Sequence, residues 1–557
     1  MTQVERSDSD NAQRQLAIFD VVKRAPGKSH TEIKAMLAEA FEQRGLIPQP
    51  APWLDAVATE AAYGKPYLID VPSARAANEI TAAPDREVEE FLLKRRLFDG
   101  TRTRTRQLIW PGKNNRNTRI RPQSTAASTD SHDRKTRNRY EVIVVGAGFA
   151  GTAVAQELGR KGVEVLLVDS NSYHQFQPLL YQLATSQIGV SAIARPIRSI
   201  FRRLGSVNIM TAAVTTIDSR NRTVTLGDGE TLHADQTLVV ALGGVPNYFD
   251  TPGAEEHAYP LYSLEDATRL ATRLTRIFDH AANHPEETVD IVVVGGGPTG
   301  VETAGAIAEH INYVVRKYFS PDLTARSKVH LVDMVSTVLA PFSPNLQEYT
   351  KDRLSALGVQ LHLGVGVAEV RTNAVKLADG SEIPAQLTVW AGGLKAGRIL
   401  QDSGLPQGKG GRIDVLPDLT VPDQKNVYVL GDAANITDSE RRKLPQLGSV
   451  AQQSGKWAAR NIYRDINGGP REPFHYVDKG YMAMIGRGAA VAEIGRKRLQ
   501  LRGAVAFLSW LLVHLALLSG AQQKVRAMFS WVNGYILHSP AQVVVGNRED
   551  GPSSPAQ

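Results

Sequence analysis

Residues 140–151 read Tyr-Glu-Val-Ile-Val-Val-Gly-Ala-Gly-Phe-Ala-Gly, and residues 290–300 read Asp-Ile-Val-Val-Val-Gly-Gly-Gly-Pro-Thr-Gly. The glycines fall at Gly146, Gly148 and Gly151 in the first run and at Gly295, Gly297 and Gly300 in the second. In this spacing the first glycine permits a tight turn and the second lets backbone approach a pyrophosphate. The third lets a helix pack closely on the preceding strand. A pyrophosphate at such a turn meets unpaired N–H groups and the positive end of a helix dipole. One such turn alone is weak evidence, because glycine-rich turns are common. Two of them, each after a β-branched run, indicate two dinucleotides in one chain, which suits electron transfer between a nicotinamide and a flavin.

An acid follows each loop. Val-Glu-Val-Leu-Leu-Val-Asp ends at Asp169, about 20 residues after the first loop, the usual interval for a ribose-binding carboxylate. Lys-Val-His-Leu-Val-Asp ends at Asp333 after a longer interval, whose excess (about 311–326) reads as an extended crossover helix. An acid here favours a free 2′-hydroxyl, hence NADH over NADPH. A third segment, residues 426–434, is a short apolar strand ending in Gly431 and Asp432 and leading into a helical pattern. Asp432 suits acceptance of a ribityl hydroxyl proton, or else capping of that helix. Taken with the first loop it marks the FAD site, which leaves the second loop for the nicotinamide.

These residues require particular elements to hold them. Residues 142–145 and 291–294 read as buried parallel strands, each feeding a crossover helix. The fold class is therefore α/β, with two Rossmann-like dinucleotide-binding domains, one for FAD and one for NAD. The expected division is 140–262 with 385–470 for FAD and 263–384 for NAD, then a C-terminal region over 471–557.

Residues 140 to about 545 resemble the type II NADH dehydrogenases, single-subunit NADH:quinone oxidoreductases of the two-dinucleotide flavoprotein superfamily. Four stretches carry the likeness in order: 176–185 (FQPLLYQLAT), 241–249 (ALGGVPNYF), 388–396 (TVWAGGLKA) and 476–487 (YVDKGYMAMIGR). The resemblance implies that the first lies beside FAD and that the next two are the crossings between domains. It also implies that Glu302, just inside the helix after the second loop, faces the flavin–nicotinamide contact, where it either orients the nicotinamide or assists proton supply to reduced quinone. The reading of Glu302 from position alone is an N-terminal helix acid favoured by the dipole. The family's quinone-side Ala-Gln pair is replaced by Gly448 and Ser449, and only Gln453 matches its later glutamine. The resemblance further implies a homodimer.

The chain has no cysteine. Disulfide reductases and sulfide:quinone oxidoreductases, which share this architecture, need redox-active thiols and are excluded. Iron–sulfur clusters and thiolate zinc sites are disfavoured with them, and no His/Asp metal cluster stands out.

Residues 504–519 (AVAFLSWLLVHLALLS) and the aromatic-apolar stretch at Met528, Phe529, Trp531, Val532, Tyr535, Ile536 and Leu537 are flanked by basic residues. They fit helices lying in a membrane interface, or a buried helix pair. No run is long enough to span a bilayer, and the polar opening of the sequence does not read as a secretory signal.

Residues 1–100 read as a small helical module of unknown role. Its expected helices follow a cap at Ser29 (Ile33, Met36, Leu37, Ala40, Phe41), cover 53–62, and cover 87–98. Residues 101–139 carry 11 Lys/Arg against 2 Asp/Glu, a net +9, while the whole chain is +7. The high pI thus belongs to this basic linker. Its composition reads as disordered and suits an anionic lipid surface, with no specific nucleic-acid partner expected.

The expected function is non-proton-pumping NADH:quinone oxidoreduction at the cytoplasmic face of the cell membrane, peripheral, in a respiratory chain. The alternatives are a soluble NAD(P)H-dependent flavin reductase with a protein or oxygen acceptor, and a redox-sensing flavoprotein scaffold.

Overall fold

The computed structural model describes residues 3–25, 28–46, 51–62, 138–495 and 497–536, in two units, 1–128 and 129–557. In the first unit α1 (Gln3–Arg24), α2 (His30–Glu42) and α3 (Ala51–Ala62) share a core that includes Ile18, Val21, Leu37, Phe41 and Val57. Ser29 caps α2: its hydroxyl takes the Glu32 N–H, and the Glu32 carboxylate takes the Ser29 N–H at 2.8 Å. α1 is a helix the sequence reading did not single out; the core residues it contributes, Ala17, Ile18, Val21 and Val22, fall in its second half. The expected helix at 87–98 and the linker up to residue 137 lie outside the described residues.

The second unit opens with β1 (Arg139–Val145), α4 (Phe149–Arg160), β2 (Val165–Asp169), β3 (Val207–Thr211) and β4 (Thr231–Val240). The chain continues through β5 (Ala258–Pro260), α5 (Leu264–Ala282), β6 (Val289–Val294), α6 (Pro298–Glu309), β7 (Ser327–Asp333), β8 (Val359–Leu363) and β9 (Leu387–Trp390). It then forms β10 (Gln424–Val429) and α7 (Gly448–Ile466). The last elements are β11 (Gly480–Gly486), β12 (Ala489–Ile494), β13 (Leu499–Arg502), α8 (Gly503–Leu517) and α9 (Ala521–Trp531).

Two parallel sheets result. The first runs β10-β4-β1-β2-β3 and the second β5-β9-β6-β7-β8. Their central strands are solid apolar runs: Val142, Ile143 and Val144 in β1 and all of β6 are buried. Burial on both faces favours such β-branched runs over alternation. In each sheet the loop after the central strand emerges where strand order reverses, the crevice where sheets of this kind bind ligands.

The chain passes between the two domains twice, and the passages zip together. Val245 pairs with Lys395 and Pro246 with Leu394, antiparallel, while the Trp390 indole N–H donates to the Asn247 carbonyl at 2.8 Å. This hinge corrects the expected boundaries. β5 and β9, at 258–260 and 387–390, belong to the second sheet, although both lie inside the ranges 140–262 and 385–470.

Two further expectations change. The excess before Asp333 is only partly an extension of the crossover helix: α6 runs on through a π-helical turn (His310–Val315) and Arg316–Tyr318, breaks at Phe319, and a separate short helix (Pro321–Ala325) capped by Ser320 follows. The C-terminal region is not purely helical either, since β11, β12 and β13 form an antiparallel sheet before α8 and α9.

Candidate functional site

The two loops are built alike. Gly146 and Gly295 have φ of +99° and +112°, where a side chain is strained. A Cβ on Gly146 would sit 2.3 Å from the Ala241 carbonyl oxygen, and one on Gly295 would sit 2.5 Å from that of Ala391. Each first glycine is thus pressed under the residue that leaves the neighbouring strand, β4 or β9. A Cβ on Gly151 would lie 1.8 Å from Gly146 O, and one on Gly300 would lie 1.7 Å from Gly295 O. The third glycine therefore sets how closely helix and loop approach. Gly148 and Gly297 are the helix N-caps, and nothing stands within 4 Å of where their Cβ would be. Neither helix has a side-chain cap, so first-turn N–H groups stay free for an anion. Pro298, which has no N–H, takes the first helical position of α6.

The two acids occupy equivalent positions. Asp169 Oδ2 accepts the Ala147 N–H at 2.6 Å and Oδ1 accepts the Asn171 N–H at 2.7 Å. Asp333 Oδ2 accepts the Gly296 N–H and Oδ1 accepts the Val335 N–H at 2.7 Å. Each carboxylate braces its own loop from the end of the second strand, where a ribose of the bound dinucleotide falls. Asp333→Ala removes both functions, so NADH affinity should fall about tenfold or more while FAD content is unchanged. Simultaneous loss of FAD on equilibrium dialysis would show that the two loops are assigned the wrong way round.

Gly431 and Asp432 join the first loop through packing. Gly431 (φ +64°) has Ala451 of α7 and Ala150 of α4 within 3.4 Å of its Cβ position. The Asp432 carboxylate accepts the Tyr262 hydroxyl at 3.4 Å, and burial raises its pKa against the pull of Tyr262 and Arg412. The helix expected directly after Asp432 is absent. Asp432 itself lies within a single 3₁₀ turn (Gly431–Ala433), the strand Ala434–Asn435 follows, and α7 starts only at Gly448, so helix capping is not its role.

Several neighbours were not evident from sequence. His174 Nδ1 meets the Ala147 carbonyl at 2.9 Å, and Phe149 packs edge-on against His174 and Phe176. The Gln175 amide takes the Leu264 N–H at 2.8 Å and donates to the Tyr262 carbonyl. The segment from Tyr173 to Leu179 thereby ties the first loop to the start of α5.

Glu302 lies in the second turn of α6. Its Oε1 accepts the Met484 N–H of β11 at 3.1 Å and the Trp510 indole N–H of α8 at 3.2 Å. Part of the side chain remains accessible, but the carboxyl group is enclosed, and burial pushes its pKa up to about 8 against those two donors. Trp510 is fully buried and stacks on His514, with centroids 3.7 Å apart. Close approach of α6 to β11 depends on Gly305, where a Cβ would stand 1.8 Å from Ile485 O.

Gln453 is committed to the chain itself. Its Nε2 donates to the Val477 carbonyl and its Oε1 accepts the Val477 N–H, both at 3.0 Å. Both ends of the amide expected to be catalytic are thus occupied by the Val477 backbone, on the approach to β11. Gly448 packs on the Phe149 ring, and Ser449 Oγ lies 3.0 Å from the Tyr476 hydroxyl.

α8 is apolar on both faces. Ala506, Phe507, Trp510 and His514 face inward, while Val505, Leu508 and Leu512 are exposed, Leu512 at 68%. α9 buries Gln523, Ala527 and Trp531 and exposes Val525, Met528 and Phe529. At 15 residues α8 is about 22 Å long. Among the described residues no helix is long and apolar enough to cross a membrane, and no group of three or more His, Asp or Glu side chains is arranged to hold a metal ion.

Residues 140–455 match the family model for pyridine nucleotide-disulphide oxidoreductases. Ndh of Mycobacterium tuberculosis, a type II NADH:quinone oxidoreductase, is 35% identical over 432 residues, covering 74% of this chain and 91% of that protein. The type II NADH:quinone oxidoreductase of Staphylococcus aureus is 29% identical over 63% of this chain and 88% of its own length. The fold matches that of NDH2 from Plasmodium falciparum, solved in complex with NADH, with a TM-score of 0.66 at 18% identity over 72% of this chain and all of that one.

Proposed function

The chain belongs to the type II NADH:quinone oxidoreductases, and from that membership we propose how its residues share the work. The enzyme oxidises NADH and reduces quinone, with FAD as its bound carrier. The relatives do not favour a protein or oxygen acceptor, and without cysteine the thiol chemistry in the wider family's description is not open to this chain.

When bound, FAD supplies hydride acceptance from NADH and electron delivery to quinone. Gly146, Gly148, Gly151 and the N-terminus of α4 hold its pyrophosphate, Asp169 a ribose, and Gly431 with Asp432 the ribityl chain. Gly295, Gly297, Gly300 and Asp333 hold NADH in the same manner. The fit rests on the two open N-caps, Gly148 and Gly297, where backbone N–H groups meet no side chain. Gly431 and Asp432, which pack beside the first loop through Ala150 and not beside the second, are the observation that carries this division.

Glu302 holds a proton at neutral pH, because burial keeps its carboxyl group neutral below about 8. It sits next to the second loop on the same helix and gives that proton to the reduced quinone, which takes up one proton from solution for each NADH oxidised. Trp510 and the Met484 backbone fix its orientation.

The exposed apolar faces of α8 and α9, with Arg502 at the start of α8 and Lys524 and Arg526 within α9, lie in the lipid interface and let quinone approach from the bilayer. On this reading the enzyme is peripheral and monotopic; its place on the cytoplasmic face and its assembly as a homodimer rest on the family resemblance alone. Leu508→Glu with Leu512→Glu places two charges on that face. Sedimentation with anionic lipid vesicles should drop at least tenfold, while reduction of a water-soluble acceptor stays near normal. Unchanged vesicle binding would move the membrane surface elsewhere.

A further inference from the structure

Glu302 needs a new proton after each quinone is reduced, yet its carboxyl group is enclosed behind Met484 and Trp510. The same helix carries a second buried acid. Glu309 is seven residues further along α6, on the same face and about 10 Å away. Its Oε1 accepts the Arg487 N–H just after β11, and the residue is 6% exposed. The Glu309 side chain lines a cavity of about 50 Å³ together with Gln187, Tyr313, Tyr318 and Tyr535. That is room for a few water molecules and too little for an organic ring. Tyr313 and Tyr318 are 44% and 53% exposed, so the outer wall of this cavity meets solvent.

Two phenols link the acids. Tyr181, from the helix Leu180–Ala184, packs edge-on against the Trp510 ring that holds Glu302, and Tyr535 lines the cavity of Glu309. Both hydroxyls reach Met484 Sδ, at 3.4 and 3.5 Å, and both phenols feel the charge of both carboxyl groups. The fully buried Gln182 donates its amide N–H groups to the two hydroxyls at 3.1 and 3.2 Å and accepts the Trp531 indole N–H at 2.8 Å. The hydroxyl oxygens are thereby fixed as acceptors. Their protons face thioether sulfur, a weak acceptor, and for Tyr535 also Gln187 Oε1 at 3.3 Å, so they can swing toward a carboxylate. Burial lifts Glu309 to about 7 against Arg487 and, from the helix Pro344–Ala356, Arg353; it lifts Glu302 to about 8. The two affinities lie close together, so a proton passes inward without a steep climb. His310, next in the chain, is pushed down to about 4 by burial and adds no charge near neutral pH.

We propose that Glu309 takes up protons from solvent and passes them through the Tyr535 and Tyr181 hydroxyls to Glu302, which each reduced quinone leaves deprotonated. One proton enters at the cavity for each proton that Glu302 gives to quinol oxygen, and both phenols end as they began. The inference rests on the reading of Glu302 above as the proton donor.

The test is steady-state quinone reduction by the FAD-loaded protein from pH 5 to pH 7, with and without azide, a small weak acid that carries protons into buried sites. Glu309→Gln keeps the oxygen that accepts the Arg487 N–H but has no acidic proton to pass on. Wild-type turnover should change by less than about threefold over this range, because both acids can hold a proton there. In Glu309→Gln the Glu302 carboxylate must wait for a proton from bulk water. Turnover should then fall about tenfold per pH unit, and azide should restore it in proportion to its concentration. Tyr535→Phe should show the same two signs, and it decides the matter should Glu309→Gln not hold FAD. A loss that is equal at every pH and that azide does not relieve, or variants as fast as wild type at pH 7, overturns the relay. Glu302→Gln, measured alongside, separates the two readings. Full turnover in that variant overturns Glu302 as donor and the relay with it. A slow Glu302→Gln beside an unimpaired Glu309→Gln overturns the relay alone.

Discussion

Gly300→Val will cost at least about a hundredfold in kcat/KM for NADH while FAD remains bound. The added Cβ would lie 1.7 Å from the Gly295 carbonyl oxygen, so the helix start must move off the loop. A displacement of about 1 Å at a positioning element is enough for a loss of that order. The equivalent change in the other loop, Gly151→Val, puts a Cβ 1.8 Å from Gly146 O and should yield protein without FAD. FAD content by absorbance and NADH affinity by titration separate the two outcomes. If Gly300→Val loses FAD and Gly151→Val keeps it, the division of cofactors between the loops is reversed.

Glu302→Gln should lower quinone turnover by about 10² or more, the usual range for a lost general acid, and leave NADH-driven bleaching of the FAD band within a few-fold of wild type. Glutamine keeps the acceptor oxygen for Met484 N–H and Trp510 Nε1–H but holds no exchangeable acidic proton. Wild-type turnover should decline as pH rises through about 8, and the variant's residual rate should lack that step. Stability moves in a defined direction too. The carboxyl pKa is raised from 4.5 to about 8 on folding, so between those values the native state binds a proton that the unfolded state does not. That contribution is fully present below about 4.5 and is lost as pH rises through about 8. Thermal unfolding at pH 5 and pH 9 should show the variant gaining on wild type at the higher pH. Parallel losses in both half-reactions, with no change of pH profile, would reduce Glu302 to a packing residue.

The loops were legible in sequence because their chemistry is local. A positive φ, a close helix approach and an open N-cap each demand glycine at a fixed offset, so Gly146, Gly148 and Gly151 and their counterparts announce themselves. Asp169 and Asp333 were legible for the same reason, as the last residues of strands set by β-branched runs. The helix after Asp432 was misread because 431–435, Gly-Asp-Ala-Ala-Asn, is too short to show a period and fits either a helix start or a turn and strand. β11 and β12 were hidden by their composition: β11 is rich in Gly and Met, β12 in Ala, and both are largely buried without alternation. Gln453 looked free because nothing local reveals that Val477, 24 residues on, occupies both ends of its amide. Glu309 had a usable signal, since a carboxylate seven residues after Glu302 shares its helix face. Arg487 had none, because only the fold of β11 against α6 brings it there.

The most direct measurement is steady-state oxidation of NADH by the FAD-loaded protein, with and without a short-chain quinone in lipid micelles, repeated with NADPH. Fast turnover that requires quinone and prefers NADH is the predicted result. An FAD band that NADH bleaches and quinone does not restore would contradict the account at its acceptor half.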